Sequence, residues 1–82
     1  MKPLIANPLA NEAEEMLVWL YGESAGRAMR RRGTEGQRIG QAFMNTLMNF
    51  DPISWHRLNG SLFDPFYQDK KIPAALDFMT RK

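Results

Sequence analysis

Short stretches bounded by proline, asparagine and glycine are the feature that most restricts the fold of this 82-residue chain. Asn7-Pro8 and Asp51-Pro52 each place an N-cap residue before a proline, which is favoured at the first helical position because it lacks an N–H. Pro73 predicts the start of a last helix, and Asn59-Gly60 is typical of a helix end. These helix-start and helix-end signals therefore predict several short helices.

Apolar residues between these breaks recur at the spacing of one helix face. In the first stretch they are Leu9, Ala13, Met16, Leu17 and Leu20. In the middle of the chain they are Ile39, Phe43, Leu47 and Phe50, widened by Met44 and Met48, opposite a polar face of Gln37, Gln41 and Asn45. Because each stretch has one face to bury, we predict an all-α fold: a compact single domain of about four or five short helices over residues 1–82.

Two glycines leave the second helix open to two interpretations. Gly22 and Gly26 both interrupt the apolar pattern. The first helix either ends near Tyr21 and a second begins at Glu23, or one helix continues with a bend to Arg32. The sequence favours neither version.

Signals for a helix end and a helix start follow one another before the third helix. Gly33 is the predicted stop of the preceding helix. Thr34–Gln37 then predicts a capping box for a helix that runs to about Asn49. Gly36 and Gly40 lie one turn apart, and this smooth patch suits an internal contact or the seam of a homodimer equally.

The composition excludes most catalytic and metal chemistry. The chain has no cysteine and one histidine, His56, whereas a zinc site needs about four Cys, His or acidic ligands. Ser54 is close to His56 in the sequence, but nothing orients the histidine as a general base. No glycine-rich phosphate loop follows a strand. We therefore expect a protein that is not an enzyme and uses no cofactor.

The length of the apolar runs argues against a membrane segment. The longest uninterrupted run, Met16–Tyr21, is far shorter than the ~20 residues of a spanning helix. The first residues contain two prolines and no apolar core of secretory-signal length. The expectation is a cytoplasmic protein without membrane contact.

Charge is unevenly distributed along the first half of the chain. Residues 11–23 carry four glutamates and no basic residue, whereas residues 27–38 carry five arginines against Glu35 alone. The densest part is formed by Arg30, Arg31 and Arg32. Basic side chains in the last turn of a helix interact favourably with its dipole, which gives a structural interpretation. The functional alternative is that these arginines bind phosphates or an acidic protein.

Residues 23–48 are similar to a helix-turn-helix, because Met29, Gly33 and Ile39 fall at the spacing that locks the two helices of that motif. Met29 is larger than the alanine preferred there. The resemblance implies a DNA- or RNA-binding module in which Arg30 to Arg32 hold phosphates. The side chains that would face base edges are Gln37, Arg38 and Gln41.

Aromatic residues supply the candidate contacts for a protein partner. Interfaces favour Arg, Trp, Tyr, Phe and Met, and this chain is rich in all of them. Phe63, Phe66 and Tyr67 cannot all point inward from one turn. Either two of the three anchor the last helix, or the turn presents an aromatic surface. Trp55 is a weaker candidate.

The last 45 or so residues resemble a loose group of uncharacterised small proteins carried by phages and prophages. The resemblance rests on an outline of Arg-x-Gly-Gln, Asn, Asp-Pro-Phe-Tyr, an acid and Ile-Pro, carried here by Arg38, Gly40, Gln41, Asn45, Asp64, Pro65, Phe66, Tyr67, Asp69, Ile72 and Pro73. It implies a compact helical module of phage type and no activity. We expect Arg38, Gln41 and Asn45 to tie the third helix to the Asp-Pro-Phe-Tyr turn.

Together these observations predict a small non-enzymatic protein that modulates or inhibits a protein partner of host or competing machinery. The predicted contact residues are Arg30, Arg31, Arg32, Trp55, Phe66 and Tyr67. A nucleic-acid-binding module that uses Gln37, Arg38 and Gln41 is the alternative.

Overall fold

The structure, a computed structural model, describes residues 8–80. Its helices are α1 (Pro8–Tyr21), α2 (Glu23–Thr34), α3 (Ile39–Phe50), α4 (Pro52–Leu58) and α5 (Ile72–Thr80), with a short 3-10 helix, Asp69–Lys71, before α5. The predicted all-α fold with short helices is confirmed. The predicted N-cap at Asn7 lies outside the described residues.

Gly22 separates α1 from α2, so the first of the two interpretations is correct. Its φ of +96° lies in the left-handed region that favours glycine, and its N–H donates to the Val18 carbonyl at 2.8 Å. Gly26 lies inside α2 and is buried. A Cβ there would lie 2.5 Å from Val18 Cγ2, so Gly26 lets α2 pack closely against α1.

The predicted boundaries between α2 and α3 were wrong. Helix α2 ends one residue beyond Gly33, and the Glu35 N–H donates to the carbonyls of its last turn. The Thr34 hydroxyl donates back to the Arg31 carbonyl at 2.7 Å, so it caps nothing ahead of it. The N-cap of α3 is Arg38, whose N–H donates to the side chain of Gln41 at 3.4 Å. The sequence led us to expect the N-cap four positions earlier, at Thr34. That expectation was wrong because the same motif also fits a polar turn.

Helix α3 is the centre of the core. Seven of its twelve residues are buried, and it packs against α1, α2, α4 and the 3-10 helix. Each of the three α-helices that pack on α3 contributes a large apolar side chain that is almost fully enclosed: Leu17, Met29 and Leu58. A helix surrounded in this way holds the other elements in register, because each packs on a different side of it.

Asp51 begins α4 and also holds α1 in place. Its Oδ1 accepts a hydrogen bond from the Ser54 N–H at 3.1 Å, which confirms the predicted N-cap. Its Oδ2 accepts from the Ser54 hydroxyl at 2.8 Å and from the Tyr21 hydroxyl at 2.6 Å. One carboxylate therefore joins the end of α1 to the junction of α3 and α4.

The turn between α4 and the 3-10 helix covers the beginning of α3. The Gly40 N–H donates to Asp69 Oδ1 at 2.9 Å, and the Arg38 guanidinium donates to the Phe66 carbonyl. A Cβ on Gly40 would lie 1.9 Å from the Pro65 carbonyl oxygen, so only glycine fits there. Of the two alternatives for the glycine patch, Gly40 therefore makes a contact within the domain.

Two of the three turn aromatics pack against the core. Phe63 stacks on Phe78 of α5 with ring centroids 5.2 Å apart, and Phe66 is half-buried. Tyr67 is 80% exposed. Phe63 thus contacts the last helix, as one of the two expected anchors, whereas Phe66 packs against the core and Tyr67 faces solvent.

None of the helices in residues 8–80 combines the length and the apolar character needed to cross a bilayer. The same residues contain no group of three or more His, Asp and Glu side chains arranged to hold a metal ion.

Candidate functional site

The arginine cluster is divided among the helices around it. Arg30 forms an ion pair with Glu14 of α1 at 2.6 Å. Arg32 is half-buried and donates to the hydroxyl of Thr46 in α3 at 3.2 Å. These two arginines therefore bind α2 to its neighbours.

Arg31 is the member of the cluster that remains available. It is exposed, and its side chain has no hydrogen bond or ion pair with any residue from 8 to 80. The other two arginines of the basic segment are engaged, Arg27 with Glu23 at 3.4 Å and Arg38 with the Phe66 carbonyl. Arg30 and Arg32 thus hold α2 against its neighbours, whereas Arg31 has no partner among residues 8–80.

Single replacements should separate these roles. We expect Arg32→Ala to lower the free energy of unfolding by about 1–2 kcal/mol, because the fully buried Thr46 hydroxyl loses its donor. Arg30→Ala should cost less than about 1 kcal/mol because its ion pair is partly exposed, and Arg31→Ala should stay within about 0.5 kcal/mol of the wild type. Urea unfolding followed by circular dichroism measures all three. Equal losses at the three positions would contradict this division of roles.

The side chains expected to read bases are engaged in hydrogen bonds within the domain. Gln37 Oε1 accepts from the Asn45 amide at 3.0 Å, and Gln41 accepts from the backbone of Arg38. Of the three residues expected to tie α3 to the Asp-Pro-Phe-Tyr turn, Arg38 does so through Phe66. Gln41 and Asn45 instead hold the turn that precedes α3.

The predicted aromatic contacts lie at opposite ends of α3. Phe66 and Tyr67 lie beside Arg38, at the beginning of the helix. Trp55 lines a groove with Met48, near its end. Ten residues of helix separate Arg38 from Met48, which is about 15 Å along the axis. The predicted contact set therefore does not form one continuous surface.

The groove beside Trp55, here called the Ile53 groove, has an almost entirely apolar lining. Its volume is about 440 Å³, and it is lined by Met48, Pro52, Ile53, Trp55, His56 and Arg57. Ile53 is 73% exposed and Met48 is 42% exposed, so the groove presents more than one large apolar side chain to solvent. The Arg57 guanidinium lies 5.2 Å from the centroid of the Phe78 ring, so a held positive charge lies beside the apolar lining.

Two further apolar side chains are exposed near the junction of α3 and α4. Phe50 and Leu20 are each more than a third exposed, at the ends of α3 and α1. The Phe50 ring lies 6.5 Å from that of Tyr21, whose hydroxyl is bonded to Asp51. Phe50 directly precedes Asp51 and α4, so this end of α3 carries an exposed aromatic ring beside the helix that bears Ile53.

Sequence reasoning assigned Met48 to the core and did not single out Ile53. The signal lay in the spacing of α4. Ile53 and Trp55 are two residues apart, so they point to nearly opposite sides of a helix, and Leu58 shares the side of Trp55. Because α4 has only seven residues and buries Leu58, Ile53 had to face outward.

Two titratable groups near the junction of α3 and α4, Tyr21 and Asp51, have shifted pKa values. Burial raises the pKa of Tyr21, and its hydrogen bond to the Asp51 carboxylate and that group's charge raise it further. Burial alone would raise the pKa of Asp51, but the hydrogen bonds donated by Tyr21 and Ser54 outweigh it and hold this pKa below its usual value. At neutral pH the pair is therefore a neutral phenol donating to a carboxylate.

A second groove, here called the Trp19 groove, lies between α1 and α5. It measures about 380 Å³ and is lined by Glu12, Glu15, Met16, Trp19, Pro73 and Leu76. Trp19 is 75% exposed. The two carboxylates make the Trp19 groove acidic, whereas the Ile53 groove has a basic edge.

The fold and these surfaces define a small all-α domain with two apolar grooves of opposite charge. No family model, curated protein or solved structure matches the chain. The resemblance to small phage and prophage proteins stays a prediction from the sequence. Function has to be argued from the surfaces themselves.

Proposed function

We propose that this protein acts by binding another protein through the Ile53 groove and the apolar surface beside it. The observation that carries this proposal is the exposure of Ile53 together with Met48 at a groove with a nearly apolar lining. Keeping such side chains in water is unfavourable, and contiguous exposed apolar patches mark interaction sites. A partner that covers these side chains gains the free energy of burying apolar surface that the domain itself leaves exposed to water.

The edge of the groove specifies the chemistry of the partner. Arg57 is positively charged and lies at the groove with its guanidinium against Phe78. A carboxylate on the partner would pair with Arg57 while an apolar side chain packs on Ile53 and Met48. The proposed partner segment therefore carries an apolar anchor next to an acidic residue.

Hydrogen bonds within the domain favour a protein over a nucleic acid as the partner. Gln37 and Gln41 already bond to Asn45 and to the Arg38 backbone, and base readout would require breaking these bonds. Arg30 and Arg32 are also engaged, which leaves few arginines free for phosphates. The proposed mode of action is that of a small protein that modulates or inhibits its partner by occupying part of its surface.

Site-specific photo-crosslinking tests the proposal. A photoreactive phenylalanine analogue at position 53 should yield one discrete crosslinked product in a lysate of cells that naturally produce the protein. The same analogue at position 62 is the matched control, because Leu62 is 83% exposed but lies outside the groove. Equal crosslinking from both positions, or none from position 53, would reject the Ile53 groove as a binding site.

A charge introduced into the groove should prevent binding without unfolding the domain. We expect Ile53→Asp to weaken binding to the crosslinked partner by about a hundredfold or more, since central apolar anchors contribute about 2–4 kcal/mol. Leu62→Asp should leave the affinity unchanged, and both variants should unfold at the wild-type urea concentration because both side chains are exposed. Unchanged binding by folded Ile53→Asp would contradict the proposal, as would salt-sensitive binding to random DNA that persists in this variant.

A further inference from the structure

Helices α1 and α2 carry charged side chains of opposite sign that have no partner within residues 8–80. Glu12 and Glu15 have no ion pair or hydrogen bond within residues 8–80, whereas Glu14 and Glu23 of the same acidic segment are paired with arginines. On the basic side, Arg31 is the one arginine of residues 27–38 without a partner in the same part of the chain. A free cation and a free pair of carboxylates thus occur on one chain.

The Trp19 groove has the features that bind an arginine. Glu12, Met16 and Trp19 follow one another at helical spacing on α1, with Glu15 beside them, and Pro73 and Leu76 form the opposite wall. A guanidinium stacks on an exposed indole and pairs with adjacent carboxylates. Glu12 and Glu15, three residues apart on one helix, repel each other unless a cation lies between them.

The structure does not contain this contact within one chain. Glu14 of α1 faces α2, because its carboxylate binds Arg30 at 2.6 Å. The Trp19 groove lies on the α5 side of α1. Arg31 is exposed on α2 and forms no ion pair with Glu12 or Glu15.

We propose that a second copy of this chain docks with its Arg31 in the Trp19 groove, between Glu12 and Glu15. On its side of α2, Arg31 is exposed beside the small residues Ser24 and Ala28 and beside Arg27, whose charge is already paired with Glu23. The contact uses two different surfaces, so it is head-to-tail and propagates from copy to copy into rings or open chains. It leaves the Ile53 groove free for the proposed partner.

Sedimentation velocity at low ionic strength tests the contact. The wild-type protein should pass from one chain to larger species between about 10 μM and about 1 mM, the range of a small transient interface. Salt near the physiological concentration should weaken this association. Arg31→Glu and the double variant Glu12→Lys/Glu15→Lys should each weaken association at least about tenfold. Lys70→Glu, which changes the net charge as Arg31→Glu does but lies outside both surfaces, should associate as the wild type does.

Mixing two neutral disrupted variants is the decisive step. Arg31→Gln keeps an intact Trp19 groove, Glu12→Gln/Glu15→Gln keeps an intact Arg31, and neither introduces a charge that could form a new pair with the other variant. An equal mixture should therefore form a dimer of one copy of each and nothing larger. Circular dichroism confirms that both variants are folded, and Arg31→Ala with Glu12→Ala/Glu15→Ala repeats the test should either fail to fold.

Each other outcome overturns the proposal. A wild type that stays monomeric at the highest concentration excludes the contact, and so do variants that associate like the wild type. A mixture that forms no dimer excludes the head-to-tail geometry. Ile53→Asp should self-associate normally, because it leaves both surfaces intact. Loss of association in Ile53→Asp alone would place the second copy at the Ile53 groove instead and overturn the Arg31 contact.

Discussion

Gly40→Ala is expected to lower the free energy of unfolding by about 3 kcal/mol or more, a large share of the total for a domain of this size. The added Cβ would lie 1.9 Å from the Pro65 carbonyl oxygen and 2.8 Å from its carbon. These are backbone atoms, so the overlap cannot be relieved by turning a side chain. Relief requires moving the whole turn away from α3. That movement would break the bond from the Gly40 N–H to Asp69 and the bond from Arg38 to the Phe66 carbonyl.

Gly36→Ala is the matched control for this prediction. It adds the same methyl group at a glycine with a φ of +105°, where nothing lies within 4 Å of the new atom. Backbone strain alone should cost about 1 kcal/mol there. Urea unfolding of both variants, followed by circular dichroism, gives the two free energies. A Gly40→Ala variant as stable as Gly36→Ala would show that the turn does not pack against α3 as described.

Local signals in the sequence were sufficient to predict most of the helices. Asp51-Pro52 predicted the start of α4 because the cap and the proline act on the nearest backbone groups. The N-cap of α3 was predicted four residues early, at Thr34 instead of Arg38. A capping motif in the sequence shows only which hydrogen bonds its own side chains could make. The contact of Gly40 with Pro65, by contrast, joins residues distant in sequence, and no local signal predicts it.

The candidate surfaces were less predictable, because they depend on which side chains find distant partners. Arg30 bonds to a residue 16 positions away and Arg32 to one 14 positions away, whereas Arg31 between them has no partner within residues 8–80. Three adjacent arginines look alike in the sequence. Only the packing of α2 between α1 and α3 distinguishes them. Ile53, by contrast, was predictable in principle from its spacing to Trp55 and Leu58.

Asp51→Ala is expected to lower the free energy of unfolding by about 2 kcal/mol at neutral pH. Loss of the N-cap bond to Ser54 should cost about 1 kcal/mol, and loss of the acceptor for the half-buried Tyr21 hydroxyl should cost about 1 kcal/mol more. The carboxylate joins α1 to the α3–α4 junction, so the loss should also loosen the apolar surface that ends at Phe50. Urea unfolding measures the first effect, and faster amide exchange of the first turn of α4 reports the second.

Acid should reproduce part of this loss in the wild type. The pKa of Asp51 is lower in the folded chain than in the unfolded chain, where an aspartate titrates near about 3.9. The unfolded state therefore binds a proton first, and the stabilisation is fully present above that pH and is lost as the pH falls through the folded value. Tyr21 has a raised pKa, so its contribution is lost only when the pH rises above about 10, where an unfolded tyrosine ionises.

Asp51→Asn separates the charge from the cap. Asparagine is a good N-cap residue and keeps one oxygen that can accept the Ser54 N–H, but it does not titrate. Between about pH 5 and pH 3 the stability of this variant should therefore fall less steeply than that of the wild type. Glu35→Gln, which removes an exposed carboxylate elsewhere in the domain, is the control for the loss of one negative charge. Equal slopes for the wild type and Asp51→Asn would mean that the bond between Tyr21 and Asp51 does not hold the carboxylate in its charged form.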